Sequence, residues 1–149
     1  MAERAQGQVE HHAANDVKKG GYCIIKDHPC KVQETNWSKP GKHGAGKIQI
    51  IGIDIFSGKK VEMSSPSTHN VEIPVVTRRD VQLLDITEEG YLSVLDGEDS
   101  KDHLKLPDWP EGLADRIKEG FEAGHDVDLV VMSAMGQEAV VDVKISKQN

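Results

Sequence analysis

The sequence predicts an all-β protein built from two small barrels, with one helix in the second barrel. Three observations lead to this class. Short runs rich in Ile and Val are separated by turn signals along the chain, which is the pattern of small barrels. Only residues 110–123 space their apolar side chains as a helix does. The sign of the net charge changes close to residue 76, just after a proline, and we place the domain boundary there.

The first domain is predicted over residues 17–76 and carries five strands, at 22–25, 29–37, 48–56, 59–63 and 70–76. The segment before it, residues 1–16, is polar and shows no hydrophobic period, so we expect a disordered N-terminal arm. The pair His11-His12 has no partners at metal-ligand spacing and is expected to be solvated.

The second domain is predicted over residues 77–149, with strands at 81–86, 91–95, 126–134 and 139–145. Its helix at 110–123 places Leu113, Ile117 and Phe121 four residues apart, so all three should face the core. Pro110 suits the start of a helix and Gly124 its end. Strands followed by one helix and a closing pair of strands fit an OB-fold.

The charge is divided unequally between the two halves, although the whole chain has a net charge of −7. Residues 17–76 hold nine Lys and Arg against five Asp and Glu, whereas residues 77–149 hold eight against seventeen. We therefore expect only the first half to face a polyanion. No run approaches the roughly 18 apolar residues of a membrane span, and no secretory signal core is recognisable. We expect a cytoplasmic location, where Cys23 and Cys30 should be reduced and buried in strands.

The most distinctive segment is the predicted hairpin tip at residues 38–47, which holds three Lys, three Gly and one His. Gly and Pro force a tight turn, and apolar anchors are nearly absent. We therefore expect this tip to be the most mobile ordered segment of the first domain. An exposed lysine has little burial to depress its pKa, so Lys42 is poorly placed to act as a nucleophile and well placed to be modified.

Four stretches of the chain resemble the translation initiation factor 5A family. Pro40-Gly41-Lys42-His43-Gly44 is similar to the family's Thr-Gly-Lys-His-Gly loop, and Asp54-Ile55-Phe56-Ser57-Gly58-Lys59-Lys60 to its Asp-Ile-Phe-Thr-Gly-Lys-Lys. Pro66-Ser67-Thr68-His69-Asn70 and Ser133-Ala134-Met135 match two further family motifs. The resemblance runs in order from about Val17 to about Lys144.

The resemblance implies an SH3-like first domain, an OB-fold second domain, and a translation factor rather than an enzyme. It implies that Lys42 receives an aminobutyl group from spermidine through deoxyhypusine synthase, and a hydroxyl through deoxyhypusine hydroxylase, to become hypusine. No other cofactor is implied. The implied partners are the ribosome and peptidyl-tRNA, with roles at consecutive prolines and in termination; we expect a monomer. Residues expected to contact RNA or a modifying enzyme are Lys39, Gly41, His43, Gly44 and Lys47.

The loop departs from the family pattern at Pro40, which replaces Thr, and at Ala45-Gly46, which replaces His-Ala. Pro40 should stiffen the ascending side of the loop and Gly46 should loosen the descending side. These changes leave Lys42 in place.

Two other functions fit the sequence less well. A single-stranded RNA-binding OB-fold without a ribosomal role would need a basic groove with stacking aromatic residues, which the acidic second half does not offer. A hydrolase using Ser67 and His69, or Ser133 and His125, is disfavoured because such residues usually assemble from distant segments, and no Gly-x-Ser-x-Gly elbow is present. We expect a turn at Ser65-Pro66-Ser67, and we expect Ser67, His69 and Asn70 to serve in capping and turn hydrogen bonds.

Overall fold

The computed structural model describes residues 8–39 and 46–147, and within these ranges it contains eleven strands, one α-helix and a short 3-10 turn. The chain divides into two compact units. Unit one comprises residues 1–75 and 134–136, and unit two comprises residues 76–133 and 137–149. The predicted all-β class with a single helix is confirmed.

Unit one is built on an antiparallel sheet in the order β2-β3-β4-β5. These strands are β2 (Tyr22–Ile25), β3 (His28–Ser38), β4 (Lys47–Asp54) and β5 (Lys60–Pro66). In β4 every second residue is buried, starting with Ile48, because one face of the strand packs on the core. Further buried residues of this and other strands complete that core, namely Cys23, Ile25, Cys30, Val32, Ile50, Val61 and Val71.

A bulge in β3 sets which side chains share a face near the hairpin tip. The register with β4 shifts between Val32 and Glu34. Beyond the bulge, Thr35 pairs with Ile50 and Trp37 pairs with Ile48. Because directly paired residues lie on the same side of a sheet, Trp37 continues the face that carries the buried isoleucines.

The prediction of a disordered arm is wrong for residues 9–16. Val9–Ala13 forms β1, which pairs antiparallel with β6 (Asn70–Pro74), and Ala14–Asp16 forms a 3-10 turn. Ala14 is fully buried, and its N–H donates to the carbonyl of His69 at 2.8 Å. The polar sequence concealed this strand because its stability comes from backbone pairing with β6 and from Ala14 rather than from a hydrophobic period. Residues 1–7 lie outside the described part.

The histidines of β1 are on the surface. His12 Nε2 lies 3.1 Å from Glu10 Oε1, and His11 Nε2 lies 4.0 Å from Glu72 Oε2. Each imidazole therefore has a nearby carboxylate on the same two-stranded ribbon. Among the described residues there is no cluster of His, Cys, Asp and Glu that could hold a metal ion.

The two cysteines face each other across β2 and β3 as free, fully buried thiols, as predicted. Burial, with a smaller effect of the Glu72 charge, raises the pKa of Cys23 to about 11. Burial, followed by the charge of Asp54, raises the pKa of Cys30 to about 12. Both thiols stay protonated at neutral pH and pack as small apolar groups.

Unit two contains a five-stranded antiparallel sheet in the order β11-β10-β7-β8-β9. The strands are β7 (Thr77–Ile86), β8 (Tyr91–Asp96), β9 (Asp99–Lys105), β10 (Asp126–Ala134) and β11 (Gln137–Ser146). The sequence pattern does not predict strand β9, because Leu104 is its only buried residue and its remaining side chains are mostly polar or charged. The OB-fold prediction for this unit is confirmed.

The predicted helix is present as α1 (Leu113–Glu122) with the expected phase. Leu113 and Ile117 are buried, and Phe121 packs partly buried against the same core. The helix begins three residues after Pro110, with Gly112 as its N-cap at φ 84°, so Pro110 lies in the preceding turn. Gly124, at φ 77°, follows its end as expected. No helix in the described part is long and apolar enough to cross a membrane.

Candidate functional site

The hairpin of β3 and β4 carries the lysine-rich loop singled out by the sequence. The last pair of the ladder is Ser38 with Lys47, and Lys47 is also paired with Pro66 on β5. The descending side is therefore held in a three-stranded sheet up to the base of the loop. Lys39 and Lys47 are both exposed there. Gly41, Lys42, His43 and Gly44, together with Pro40 and Ala45, lie outside the described residues, so the predictions about them and about loop mobility stay predictions.

Gly46 is the first described residue after the loop, and it is buried beneath the indole of Trp37. A Cβ placed on Gly46 would lie 2.5 Å from Cζ2 and 2.7 Å from Cε2 of that ring, distances that real Cβ atoms essentially never show. Gly46 was expected to loosen this side of the loop. Instead its missing side chain makes room for the indole, and its carbonyl accepts the Ser67 N–H at 2.7 Å.

The turn between β5 and β6 spans residues 67–69, slightly later than the predicted turn at 65–67, and it ties three segments together. The Ser67 N–H donates to the Gly46 carbonyl at the loop base, and the Ser67 carbonyl accepts the Asn15 N–H at 3.0 Å. The His69 N–H donates to the Pro66 carbonyl at 3.0 Å. Ser67 is itself buried. These contacts give the segment a structural role in supporting the base of the loop.

Asp54, the last residue of β4, organises the turn between β4 and β5. Its Oδ1 accepts the N–H groups of Phe56 at 2.7 Å and Ser57 at 3.2 Å, and its Oδ2 lies 2.6 Å from Nδ1 of His28. Burial alone would raise the pKa of Asp54, but the hydrogen bonds from His28, Phe56 and Ser57 hold it below its ordinary value. The motif at residues 54–60 is therefore a carboxylate-centred turn, a role that the sequence did not reveal.

Two family models match almost the whole chain between them. The model described as "Translation initiation factor 5A-like, N-terminal" matches residues 8–69. The model described as "Eukaryotic elongation factor 5A hypusine, DNA-binding OB fold" matches residues 75–144. A relative named eukaryotic translation initiation factor 5A, from Dianthus caryophyllus, is 53% identical over 144 residues, which cover 96% of this chain and 89% of the relative.

The chain belongs to the translation initiation factor 5A family. It is therefore a translation factor, as the sequence predicted.

Solved structures of family members have the same fold. A translation initiation factor eif-5a family protein from Naegleria fowleri superposes with a TM-score of 0.82 at 46% identity, covering 91% of this chain and 98% of that one. Eukaryotic translation initiation factor 5A from Methanococcus jannaschii superposes with a TM-score of 0.72 at 30% identity, covering 91% and 95%. The likeness thus extends over both units of the translation initiation factor 5A fold.

The second unit of this family member contains a polar network that sequence reasoning missed. Arg79 on β7 donates from Nε to Asp96 at 2.9 Å, and another guanidinium nitrogen lies 3.1 Å from Glu138. Lys101 binds Asp96 at 2.9 Å, and His103 contacts Glu138. Burial would raise the pKa of Glu138, but His103 and Arg79 hold it below its ordinary value. Because these residues lie on four strands, of which β9 and β11 are opposite edges of the sheet, only the folded sheet brings them together.

Proposed function

We propose that this chain binds the ribosome and uses hypusinated Lys42 to hold the acceptor end of peptidyl-tRNA, which promotes peptide-bond formation at difficult sequences and termination. Consecutive prolines are the expected case, because a nascent chain that resists reaction gains most from better positioning of its reacting end. Deoxyhypusine synthase and deoxyhypusine hydroxylase would supply the modification, and the cytoplasm is the expected location.

The observation that carries this proposal is the way in which the base of the loop is built. Ser38, Lys47 and Pro66 are paired across three strands, and Ser67 ties Gly46 to the next turn. Lys42 lies four residues before Gly46, in a segment rich in glycine and poor in apolar residues. A lysine in a loop whose base is well supported suits both modification by another enzyme and a reach toward RNA.

The charge distribution supports the same orientation. The excess of lysine falls in the first half, where the loop is, and the excess of acid falls in the second. Hypusine would add a second cationic nitrogen and a hydroxyl to the lysine side chain. Such a side chain can combine attraction to phosphate with hydrogen bonds to bases and sugar hydroxyls.

The decisive experiment replaces the host's only copy of this protein with the Lys42→Arg variant, in a host that makes hypusine. Arginine keeps the positive charge but does not accept the aminobutyl group, so we expect loss of growth and of proline-rich protein synthesis. The unfolding free energy should change by no more than about 0.5 kcal/mol, as for surface substitutions. A mass spectrum of the wild-type peptide should show the added mass on Lys42.

Lys18→Arg and Lys31→Arg are the matched controls, because they make the same change at exposed lysines of unit one outside the loop. Both should retain modified Lys42 and normal growth. Normal proline-rich synthesis in the Lys42→Arg strain would refute the hypusine proposal. A collapsed thermal melt of the purified Lys42→Arg protein would show instead that Lys42 supports the fold.

A further inference from the structure

Trp37 is the most exposed large apolar side chain in the described part of the chain. Its exposed fraction is 58%, and no other large apolar residue described in unit one is classed as exposed. A large aromatic ring left in water at the end of a strand lacks an obvious role in the core. It also lies at the base of the loop, two residues before Lys39 and directly across the ladder from Ile48.

Among the described residues, Gly46 lies against one edge of the ring. Its six-membered edge and its Nε1 side rest on Gly46, where a Cβ would meet Cζ2, Cε2 and Nε1 at 2.5 to 3.0 Å. Any side chain at position 46 would push the indole away. Glycine at this position therefore fixes the orientation of Trp37 in advance, which lowers the entropic cost of using its exposed surface for binding.

The surroundings of the ring are cationic and polar rather than apolar. Lys39 is exposed two residues after Trp37, and Asn36, Ser38 and Lys47 are exposed on the opposite face of the same hairpin base. A protein partner would be expected to require a contiguous apolar patch. A single ring with a lysine nearby matches the way in which single-stranded nucleic acid is held, by stacking and by phosphate contacts together.

We propose that the exposed indole of Trp37 is a stacking platform for one unpaired RNA base, with Lys39 contacting an adjoining phosphate. This inference deepens the proposed function, because it names the RNA element that the base of the loop would meet. It does not require hypusine, since the residues that form the platform are unmodified.

The test uses full-length protein carrying Trp109→Phe, so that Trp37 is the only tryptophan and reports by fluorescence. The probes are a hexaadenylate RNA and an abasic hexamer with the same number of phosphates. Hexaadenylate should quench the Trp37 emission and bind, whereas the abasic strand should bind more weakly without quenching. The effect of Trp37→Ala is measured in protein that retains Trp109, with labelled RNA as the reporter. This variant should weaken hexaadenylate binding by about 5- to 150-fold.

Two further variants separate stacking from folding. Trp37→Phe keeps an aromatic face and should lose much less affinity than Trp37→Ala. Gly46→Ala keeps the tryptophan but displaces its ring, and it should weaken hexaadenylate binding while leaving abasic binding unchanged. Thermal melts check that each variant folds. Equal binding of the two strands, or equal losses for both strands in Trp37→Ala, would overturn the proposal.

Failure of this proposal is distinguishable from failure of the hypusine proposal. The binding measurements use protein made in a host without the modifying enzymes, so they stand whether or not Lys42 is modified in its own cell. In the native host, Trp37→Ala should still carry modified Lys42. Loss of the modification in that variant would show that Trp37 serves the modifying enzyme, and would overturn the assignment to RNA.

Discussion

At the scale of single residues, Asp54 shows how one carboxylate can fix a turn. It accepts two backbone N–H groups and pairs with His28, while its side chain is almost entirely buried. A buried carboxylate is costly unless its oxygens are satisfied, and here the described contacts use both. The turn between β4 and β5 therefore depends on Asp54 being ionised.

We predict that Asp54→Asn destabilises unit one by about 2 kcal/mol at neutral pH, since hydrogen bonds to a charged acceptor are replaced by weaker ones. The folded-state pKa of Asp54 is lowered, so its contribution is present above the unfolded pKa and is lost as the pH falls toward the folded value. The difference between wild type and variant should therefore shrink below about pH 4.

Urea titrations between neutral and acidic pH would measure this. Asp27→Asn is the matched control, because Asp27 is an exposed turn residue of the same unit. It should leave the pH dependence unchanged. A constant difference between Asp54→Asn and wild type across the pH range would contradict the role given to the ionised carboxylate.

At the scale of elements, helix α1 shows how much a spacing pattern can determine. Three residues at positions i, i+4 and i+8 gave its phase correctly, and Ile117 is fully buried in the core of unit two. Removing that side chain leaves a cavity between the helix and the sheet, since the surrounding packing relaxes only partly.

We predict that Ile117→Ala lowers the unfolding free energy of unit two by about 2 to 5 kcal/mol. Glu119→Ala, on the exposed face of the same helix, should change it by less than about 0.5 kcal/mol. Chemical denaturation followed by far-ultraviolet circular dichroism would compare the two. Equal effects would mean that the helix does not pack through the face described.

The elements that sequence patterns missed share a physical cause. The bounds of β2 and β10 agree with the prediction because both strands are rich in buried Ile, Val and Leu. Strands β1 and β9 were missed because each is mostly exposed and polar, so that pairing with a neighbour determines their structure. A hydrophobic period cannot reveal backbone pairing between distant segments.

The same distinction applies to the candidate site. The lysine-rich loop was recognisable because its residues are adjacent in sequence. The contact of Trp37 with Gly46 was not, because it depends on the register past the bulge in β3. The network around Arg79 was not, because it depends on how the sheet of unit two folds. Knowing that Trp37 pairs with Ile48 would have been needed to place the ring over the loop base.

At the scale of the whole molecule, the segregation of charge should govern how the chain meets nucleic acid. Residues 17–76 carry the net positive charge and residues 77–149 the net negative charge. Binding to a polyanion should therefore depend on ionic strength through lysines of the first half, because each phosphate contact releases counterions.

We predict that Lys39→Gln combined with Lys47→Gln flattens the salt dependence of single-stranded RNA binding. For every phosphate that is no longer neutralised, the slope of log affinity against log salt should become shallower by about 0.7. Lys118→Gln combined with Lys147→Gln removes the same charge from the second half and should leave the slope unchanged. Equal changes in the two double variants would indicate attraction by net charge alone.

The pairing of β1 with β6 also constrains the order in which unit one can be completed during synthesis. Val9 leaves the ribosome early, yet its ladder partner is Pro74, so β1 must wait until nearly all of the unit has been made. Contacts so far apart in sequence form late because a long loop must close first. A truncation that removes the residues up to Ala14 would leave β6 without β1, its ladder partner. Loss of Val9–Ala14 should therefore destabilise unit one, which a thermal melt of the truncated protein would measure.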